Sequence, residues 1–384
     1  MNRERAHLVL ADGTAFEGYL WGHPGPASGE VVFTTGMTGY QEVLTDPSFT
    51  GQMVTMTAPQ IGNTGINDDD PESLSGAPCA SGFIVRDLSP VVSNHRSTQD
   101  LDSYLKQHGV TGISGVDTRR LTRLLRDGGS QNGAIGQGSV DALVALARSA
   151  PKMDGLDLVS RVTPAAPYQF TETRGEWRSS FNPAKAMNGR TDYHPDPRFK
   201  VVAMDFGVKR NILRTLVDVG CDVTGVPATF SAADILKLEP EGIFLSSGPG
   251  DPAAVGYAEQ TIRELVGKIP IFGICLGHQL LARALGGSTY KLKFGHRGLN
   301  QPVKDLKTNR VEITTQNHGF VVDVDSLKGV AETSHIHLND GTSEGLVAPD
   351  LQAFSVQYHP EAAAGPHDAL YLFRRFTKMM RDKR

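Results

Sequence analysis

One short stretch constrains the fold more than any other: residues 270–279, with the sequence PIFGICLGHQ. An apolar run ends at Cys275, which has Gly273 on one side and Gly277 on the other. Leucines and alanines then recur at helical spacing until Gly286. The pattern predicts a buried strand that turns sharply into a helix, with the cysteine at the corner.

A cysteine at such a corner is suited to nucleophilic chemistry. The N-terminus of a helix carries partial positive charge, which favours the reactive thiolate over the thiol. Residues 270–286 therefore resemble a cysteine version of the nucleophile elbow of hydrolases. The competing interpretation is a packing residue, since free cysteines are among the most buried residue types. The motif alone does not decide between them.

The rest of the chain divides by its hydrophobic pattern. Residues 1–150 show strand patterns followed by three capped helices, which predicts an α+β N-terminal domain. Residues 151–199 are rich in proline and polar residues and are predicted to be a linker. Residues 200–384 alternate strand and helix, which predicts an α/β domain with a doubly wound, mostly parallel sheet.

Two further strand ends carry candidate chemistry. A predicted strand opens onto Gly248 and Gly250, whose backbone N–H groups could stabilise an oxyanion. The last predicted strand is followed by His359 and Glu361, a base and an orienting carboxylate on one segment. Taken alone, a glycine-rich turn or a histidine at a strand end more often has a structural role than a catalytic one. Parallel strands end at the same edge of a sheet, so we expect these groups to meet near Cys275.

Composition narrows the class of protein. The net charge of -4 over 384 residues argues against a large nucleic-acid footprint. Three scattered cysteines favour a reducing, cytoplasmic compartment, and no apolar run is long enough for a membrane helix. His335 and His337 share a strand face, but no third ligand has suggestive spacing, so we predict no metal site.

Several motifs together carry a family resemblance. GICLGHQ at 273–279 and HPE at 359–361 resemble the triad (class I) glutamine amidotransferases. The small subunits of carbamoyl phosphate synthetases are similar over nearly the whole chain. That similarity rests on the following segments: DFGVKRN at 205–211, GPGDP at 248–252, QNHGF at 316–320, MTGYQE at 37–42 and LTDPS at 44–48.

The resemblance implies roles for particular residues. Cys275 would attack the side-chain amide of L-glutamine, with His359 as base and acid and Glu361 orienting it. The matching positions that bind glutamine or its oxyanion are Ser48, Gly248, Gly250, Leu276, Gln279, Asn317, Gly319 and Phe320. By its polarity and turn residues alone, the 36–50 segment that contains Ser48 is predicted to be mainly a surface connection, with hydroxyl residues that could also line a site. The match at Ser48 favours the second interpretation.

The resemblance also implies that this chain performs one part of a reaction and a separate subunit performs the rest. The chain has no phosphate-loop or other nucleotide fingerprint and no predicted cofactor, so ATP and Mg²⁺ are expected on a separate large subunit. That partner would receive ammonia through a tunnel and make carbamoyl phosphate from bicarbonate for arginine and pyrimidine biosynthesis. Two alternatives stay open. One is a non-catalytic scaffold that regulates a synthetase, and the other is the same chemistry with a different acceptor, which the first domain disfavours.

Overall fold

The computed structural model describes residues 4–175 and 198–384, which form two compact units. The first unit contains the chain up to Leu158 together with residues 249–251 and 291–300. The second contains residues 159–248, 252–290 and 301–384. The boundary between the compact units, after Leu158, therefore lies later in the chain than residue 150, the predicted end of the first domain. Part of the predicted linker, residues 176–197, lies outside the described residues.

A closed barrel of seven strands forms the centre of the first unit, in the order β1-β2-β8-β6-β4-β3-β9 with β9 pairing back onto β1. The strands of the unit are β1 Arg5–Leu10, β2 Ala15–Gly22, β3 Ala27–Thr34, β4 Gln52–Met56, β5 Gln60–Ile61, β6 Gly82–Ile84, β7 Asp87–Leu88, β8 Thr111–Ser114 and β9 Gln131–Gly136. Its helices are α1 Tyr40–Thr45, α2 Leu101–Gln107, α3 Thr118–Gly128 and α4 Val140–Ser149.

The three predicted helices of this unit are confirmed, but the predicted order of strands before helices is wrong. Asp100, Asp117 and Ser139 cap α2, α3 and α4 through their side chains. However, β8 and β9 lie between these helices. The sequence of β9, QNGAIG, has little strand propensity, and its register comes from pairing with β1 and β3.

The 36–50 segment is not mainly a surface connection. It contains α1 and a 3₁₀ turn at Pro47–Phe49, and Tyr40, Leu44 and Phe49 are buried in the core of the first unit. The polar residues that suggested exposure make local bonds instead, because the side chain of Asp46 accepts a hydrogen bond from the backbone N–H of Ser48 at 2.9 Å.

A ten-stranded sheet organises the second unit, in the order β10-β12-β11-β13-β14-β19-β18-β17-β15-β16. The strands are β10 Tyr168–Phe170, β11 Phe199–Asp205, β12 Cys221–Pro227, β13 Gly242–Leu245, β14 Ile271–Ile274, β15 Ser288–Asp305, β16 Val311–Asp323, β17 Glu332–His337, β18 Ser343–Ala348 and β19 Ala353–Val356. The five strands from β12 to β19 pair in parallel, and β18 begins an antiparallel extension.

Helices cover both faces of the parallel strands, which confirms the predicted doubly wound α/β architecture. The helices are α5 Val159–Val162, α6 Arg210–Asp218, α7 Ala232–Lys237, α8 Gly256–Leu265, α9 Leu276–Ala284 and α10 Tyr371–Lys383. One buried core joins α6 and α10 to the sheet, and a second joins α7, α8 and α9 to its other face. None of the helices in the described parts of the chain combines the length and apolarity that a bilayer span requires.

One local prediction in this unit fails. The apolar pattern on either side of the polar segment 316–319 predicts two strands, 310–315 and 320–324, whereas Val311–Asp323 is one continuous strand, β16. The polar residues at its middle are buried and bond to one another, since Nε2 of His318 lies 2.9 Å from Oε1 of Gln316. The Asp-Gly pair at 340–341 predicts a hairpin turn within residues 335–347, and the antiparallel pairing of β17 and β18 confirms it.

Candidate active site

The predicted strand-to-helix corner is present in the structure. β14 ends at Ile274, α9 begins at Leu276, and Cys275 between them has φ 53° and ψ −107°. A non-glycine residue with positive φ is uncommon and is associated with functional sites. Two backbone bonds hold it: the N–H of Cys275 donates to the carbonyl of Val356 at 2.9 Å, and its carbonyl accepts from the N–H of Gln279 at 3.2 Å.

Gly277 is required by close packing behind the corner. A Cβ atom at this position would lie 2.2 Å from the carbonyl oxygen of Leu245 on the neighbouring strand. The N–H of Gly277 donates to the carbonyl of Ser246 at 2.9 Å. The first turn of α9 is therefore seated directly on the end of β13, which fixes the position of the cysteine.

The side chain of Cys275 is buried, with only 2% of its surface exposed. Its Sγ lies 3.6 Å from the backbone carbonyl oxygen of Asn317. The other two cysteines are poor nucleophile candidates. Burial raises the pKa of Cys79 to about 12, and burial raises the pKa of Cys221 further.

His359 and Glu361 form a buried pair next to the cysteine. Nδ1 of His359 lies 2.7 Å from Oε1 of Glu361, and the backbone N–H of His359 donates to the carbonyl of Thr315. Glu361 occupies Nδ1, so the buried Nε2 of His359 is the ring atom left for the side chain of Cys275. Burial lowers the pKa of His359, but the carboxylate of Glu361 and the side chain of Cys275 raise it above its usual value. The imidazole is thus a strong proton acceptor.

Sequence reasoning assigned no role to Lys209, which the structure places beside the pair. Its Nζ lies 3.1 Å from Oε1 of Glu361, and both side chains are almost completely buried. Burial raises the pKa of Glu361, but His359 and Lys209 together lower it, so the carboxylate stays ionised. The signal was available, because Lys209 lies within the DFGVKRN motif, but nothing in the motif connects a lysine at 209 to residue 361.

The backbone after Glu361 is held in an unusual conformation. Ala362 and Ala363 have positive φ values of 55° and 59°. Nζ of Lys209 donates to the carbonyl oxygens of both, each at 3.1 Å, and Nδ2 of Asn211 donates to the carbonyl of Glu361 at 2.7 Å. These contacts stabilise a strained segment that leads directly out of the catalytic pair.

The predicted glutamine-pocket residues of the second unit lie along α9 and β16. Gln279 donates from Nε2 to the carbonyl of Phe320 at 2.7 Å and to Oε1 of Gln357 at 3.0 Å. Asn317 contacts Sγ through its carbonyl, and Gly319 follows it on the same strand. Gln279 therefore braces the strand that carries the other three residues, a role that the motif did not indicate.

Two predicted oxyanion donors also lie in this unit. A Cβ atom on Gly248 would lie 2.2 Å from the carbonyl oxygen of Phe206 and 2.8 Å from the side chain of Leu276. Only glycine lets the backbone pass this close to the start of α9. Leu276 is the first residue of that helix, where the N–H groups lack intrahelical acceptors.

The other two predicted residues belong to the first unit. Gly250 has φ +91°, and a Cβ atom there would lie 2.7 Å from the carbonyl of Leu156. Ser48 lies in the 3₁₀ turn, and its buried Oγ has no hydrogen-bond partner among the described residues. Their roles toward glutamine stay predictions.

The second unit thus brings together a nucleophile, a base and an ionised carboxylate. A thiol on a strained corner lies beside an imidazole whose pKa is raised, and the N–H of Leu276 at the start of the helix has no intrahelical acceptor. This set of groups is suited to acyl transfer through a thioester, because each step needs one nucleophile and one proton carrier.

Comparisons with known proteins point to the same chemistry. Residues 8–135 match the family described as carbamoyl-phosphate synthase small chain, CPSase domain, and residues 202–379 match glutamine amidotransferase class-I. A carbamoyl phosphate synthase small chain from Syntrophotalea carbinolica is 56% identical over 382 residues, covering 99% of each chain. Its counterpart from Escherichia coli O6:H1 is 52% identical, covering 99% of this chain and 98% of its own.

A third relative extends the match. The carbamoyl phosphate synthase small chain of Synechocystis is 52% identical over 383 residues, covering 99% of this chain and 97% of its own. All three relatives align from end to end, so they share both compact units rather than the amidotransferase part alone. The chain belongs to the family of carbamoyl phosphate synthase small chains, the glutamine-hydrolysing subunits with a class I amidotransferase domain.

Proposed function

We propose that this chain hydrolyses L-glutamine through a γ-glutamyl thioester on Cys275. Sγ attacks the side-chain carbonyl carbon as the thiolate, and Nε2 of His359 holds the proton that the thiol has given up. The tetrahedral oxyanion is stabilised by backbone N–H groups of Leu276 and of Gly248 or Gly250. The C–N bond then breaks, and ammonia leaves with the proton that His359 returns.

Water completes the cycle. His359 removes a proton from the water, whose oxygen attacks the thioester carbon, and the C–S bond breaks to release glutamate. The thiolate recovers the proton. Glu361 stabilises the imidazolium in both halves, and Lys209 keeps Glu361 ionised. The observation that carries this mechanism is the 2.7 Å contact between His359 and Glu361, beside a buried thiol on a strained corner.

Ammonia made here serves a synthetase partner in this proposal. The relatives are named as small chains of carbamoyl phosphate synthase, which supports a large subunit that binds ATP and Mg²⁺ and uses bicarbonate. A protected path between the subunits makes chemical sense, since ammonia in water is protonated and loses its nucleophilic lone pair. The carbamoyl phosphate would enter arginine and pyrimidine biosynthesis.

Replacing the nucleophile tests the proposal in the complex with the synthetase subunit. For Cys275→Ser we expect loss of glutamine-dependent carbamoyl phosphate synthesis, while synthesis from added ammonium is retained. Cys79→Ser is the matched control, since Cys79 lies in the first unit and its thiol is not a nucleophile candidate. Unchanged glutamine use by Cys275→Ser would favour the non-catalytic scaffold instead.

The identity of the partner needs a separate measurement. Affinity purification of the tagged chain from its native cell should recover a large ATP-dependent synthetase subunit in stoichiometric amount. Recovery of a synthetase for another acceptor, with glutamine-dependent activity toward that acceptor, would overturn the assignment to carbamoyl phosphate.

A further inference from the structure

A second concave site lies in the second unit, away from Cys275. It is a cleft of about 760 Å³ between α10, β17 and the turn that follows β15. Its volume lies within the range of small-molecule sites, roughly 300–1,000 Å³. Ala353 at the start of β19 lines the cleft, whereas His359 follows the opposite end of that strand. The cleft is therefore distinct from the catalytic centre.

Arg375 provides a cation in this cleft. Its guanidinium carbon lies 4.4 Å from the ring centroid of Phe354, which orients the flat group by a cation–π contact. The guanidinium makes no hydrogen bond or ion pair with any other side chain or backbone group of the described chain. A guanidinium presents a fixed fork of N–H donors that matches a carboxylate. Its donors are thus oriented but unused.

Carboxylates stand on the rim of the same cleft. Glu332 and Asp382 are exposed and have no hydrogen-bond or ion-pair partner in the described parts of the chain. Asp305 is anchored, since its Oδ1 accepts from the backbone N–H of Lys307 at 2.8 Å. Counting Lys307 and Arg375 against these three carboxylates leaves an excess of one negative charge. A simple anion would be repelled, and a simple cation would leave Arg375 unpaired.

His335 adds an unsatisfied polar atom. Only 2% of the residue is exposed, and its Nδ1 lies 2.9 Å from Oγ of Ser334, but its Nε2 has no hydrogen-bond partner. Burial lowers the pKa of His335 to about 4, so the ring is neutral near pH 7. His335 therefore contributes an uncharged wall to the cleft, so the charge balance of the cleft is set by the other side chains.

The remaining walls are apolar. Leu306, Val347, Pro349 and Met379 line the cleft beside the charged groups. Met379 follows Arg375 by one helical turn on α10, so an apolar surface and the guanidinium lie side by side. A ligand that satisfies the whole cleft needs a carboxylate, an ammonium group and a short apolar body.

We propose that this cleft binds a small zwitterion of the amino-acid class with an apolar side chain. Its carboxylate pairs with Arg375, its ammonium group lies toward the carboxylates of Glu332 and Asp382, and its side chain contacts Leu306, Val347 and Met379. This assignment is independent of the glutaminase mechanism, and binding can be measured without any turnover.

Titration calorimetry of the full chain with L-leucine, L-valine and L-methionine tests the proposal. Two fragments of leucine serve as matched ligands: 4-methylpentanoate lacks the amine, and 3-methylbutylamine lacks the carboxylate. We expect at least one amino acid to bind with a Kd below about 1 mM, and both fragments to bind at least tenfold more weakly. Absence of binding by all three amino acids overturns the proposal, as does equally tight binding of either fragment.

Variants locate the binding. Arg375→Met should weaken amino-acid binding by at least tenfold, whereas Arg381→Met, the same substitution at an exposed position of α10, should not change it. The double variant Glu332→Gln, Asp382→Asn changes only exposed side chains, so folding is not at risk. It should weaken amino-acid binding and leave the fragment 4-methylpentanoate unaffected or better bound. Binding unaffected by both variants would place the ligand elsewhere and overturn the assignment.

Discussion

Strand β19 separates two polar regions with opposite designs. Beyond its carboxyl end, His359, Glu361 and Lys209 are buried, and their charged groups are in contact with one another. At its other end, the cleft beside α10 leaves the side chains of Arg375, Glu332 and Asp382 without a hydrogen-bond or ion-pair partner in the described chain. Buried charges must be paired because removing them from water costs free energy. Charges that water reaches stay hydrated and need no partner until a ligand binds. The first region is preorganised for chemistry, and the second is open for binding.

The largest expected effect comes from removing the orienting carboxylate. Glu361→Gln keeps the size of the side chain but replaces the acceptor that orients Nδ1 of His359. We expect glutamine hydrolysis in the complex to fall by about 10⁴-fold, the scale seen when such an acceptor becomes an amide. Steady-state release of glutamate measures this. Glu264→Gln on the exposed face of α8 is the control and should keep full activity.

Lys209→Met should have the next largest effect, on stability as well as rate. It leaves the carboxylate of Glu361 buried with one partner fewer and frees the carbonyls of Ala362 and Ala363. Breaking a buried pair costs about 3–5 kcal/mol of unfolding free energy. Urea unfolding measures it. The control Lys200→Met breaks only an exposed contact with Glu239 and should cost less than about 1 kcal/mol. Equal losses of unfolding free energy in the two variants would mean that the buried contacts of Lys209 stabilise the fold no more than an exposed ion pair does.

The pH dependence of the unfolding free energy tests the buried pair of His359 and Glu361. The folded-state pKa of His359 lies above the usual value of 6.5, so its stabilising contribution is complete below about pH 6.5. That contribution is lost as pH rises toward the folded pKa. The stability difference between the wild type and His359→Gln should therefore shrink as pH rises above 6.5. Unfolding free energies at a series of pH values test this, and parallel curves would contradict it.

The smallest effect is expected in the cleft. Arg375→Met removes a cation–π contact with Phe354 but breaks no ion pair in the described chain. The unfolding free energy should fall by about 0.5–1 kcal/mol, and Arg381→Met should leave it unchanged within about 0.5 kcal/mol. Thermal or urea unfolding of both variants checks this. A loss as large as that of Lys209→Met would show that the two regions are not opposite in design.

Local patterns predicted much of the second unit. The elbow at Cys275, the helices on both faces and the hairpin of β17 and β18 each follow from periodicity and turn residues within a short window. The first unit was harder to predict. Its barrel closes through β9 pairing with β1, residues far apart in the chain, and β9 has no strong strand signal of its own.

The site shows the same division. Cys275, His359 and Glu361 stand in motifs that a single sequence reveals, because each motif is only a few residues long. Lys209 escaped notice because its contact with Glu361 spans 152 residues of sequence, which no local window contains. The bracing role of Gln279 was missed for the same reason, since its partners Phe320 and Gln357 lie on other strands.

The sequence by itself determined the kind of chemistry and most of the elements in the second unit, although not the continuous strand β16. A cysteine between glycines at the junction of a strand and a helix favours a tight corner. The backbone of Cys275 takes a positive φ there, and Gly277 packs closely against the neighbouring strand. Only the tertiary structure decided the protonation of the site. The raised pKa of His359 and the lowered pKa of Glu361 depend on burial and on Lys209, which folding brings from a distant strand end.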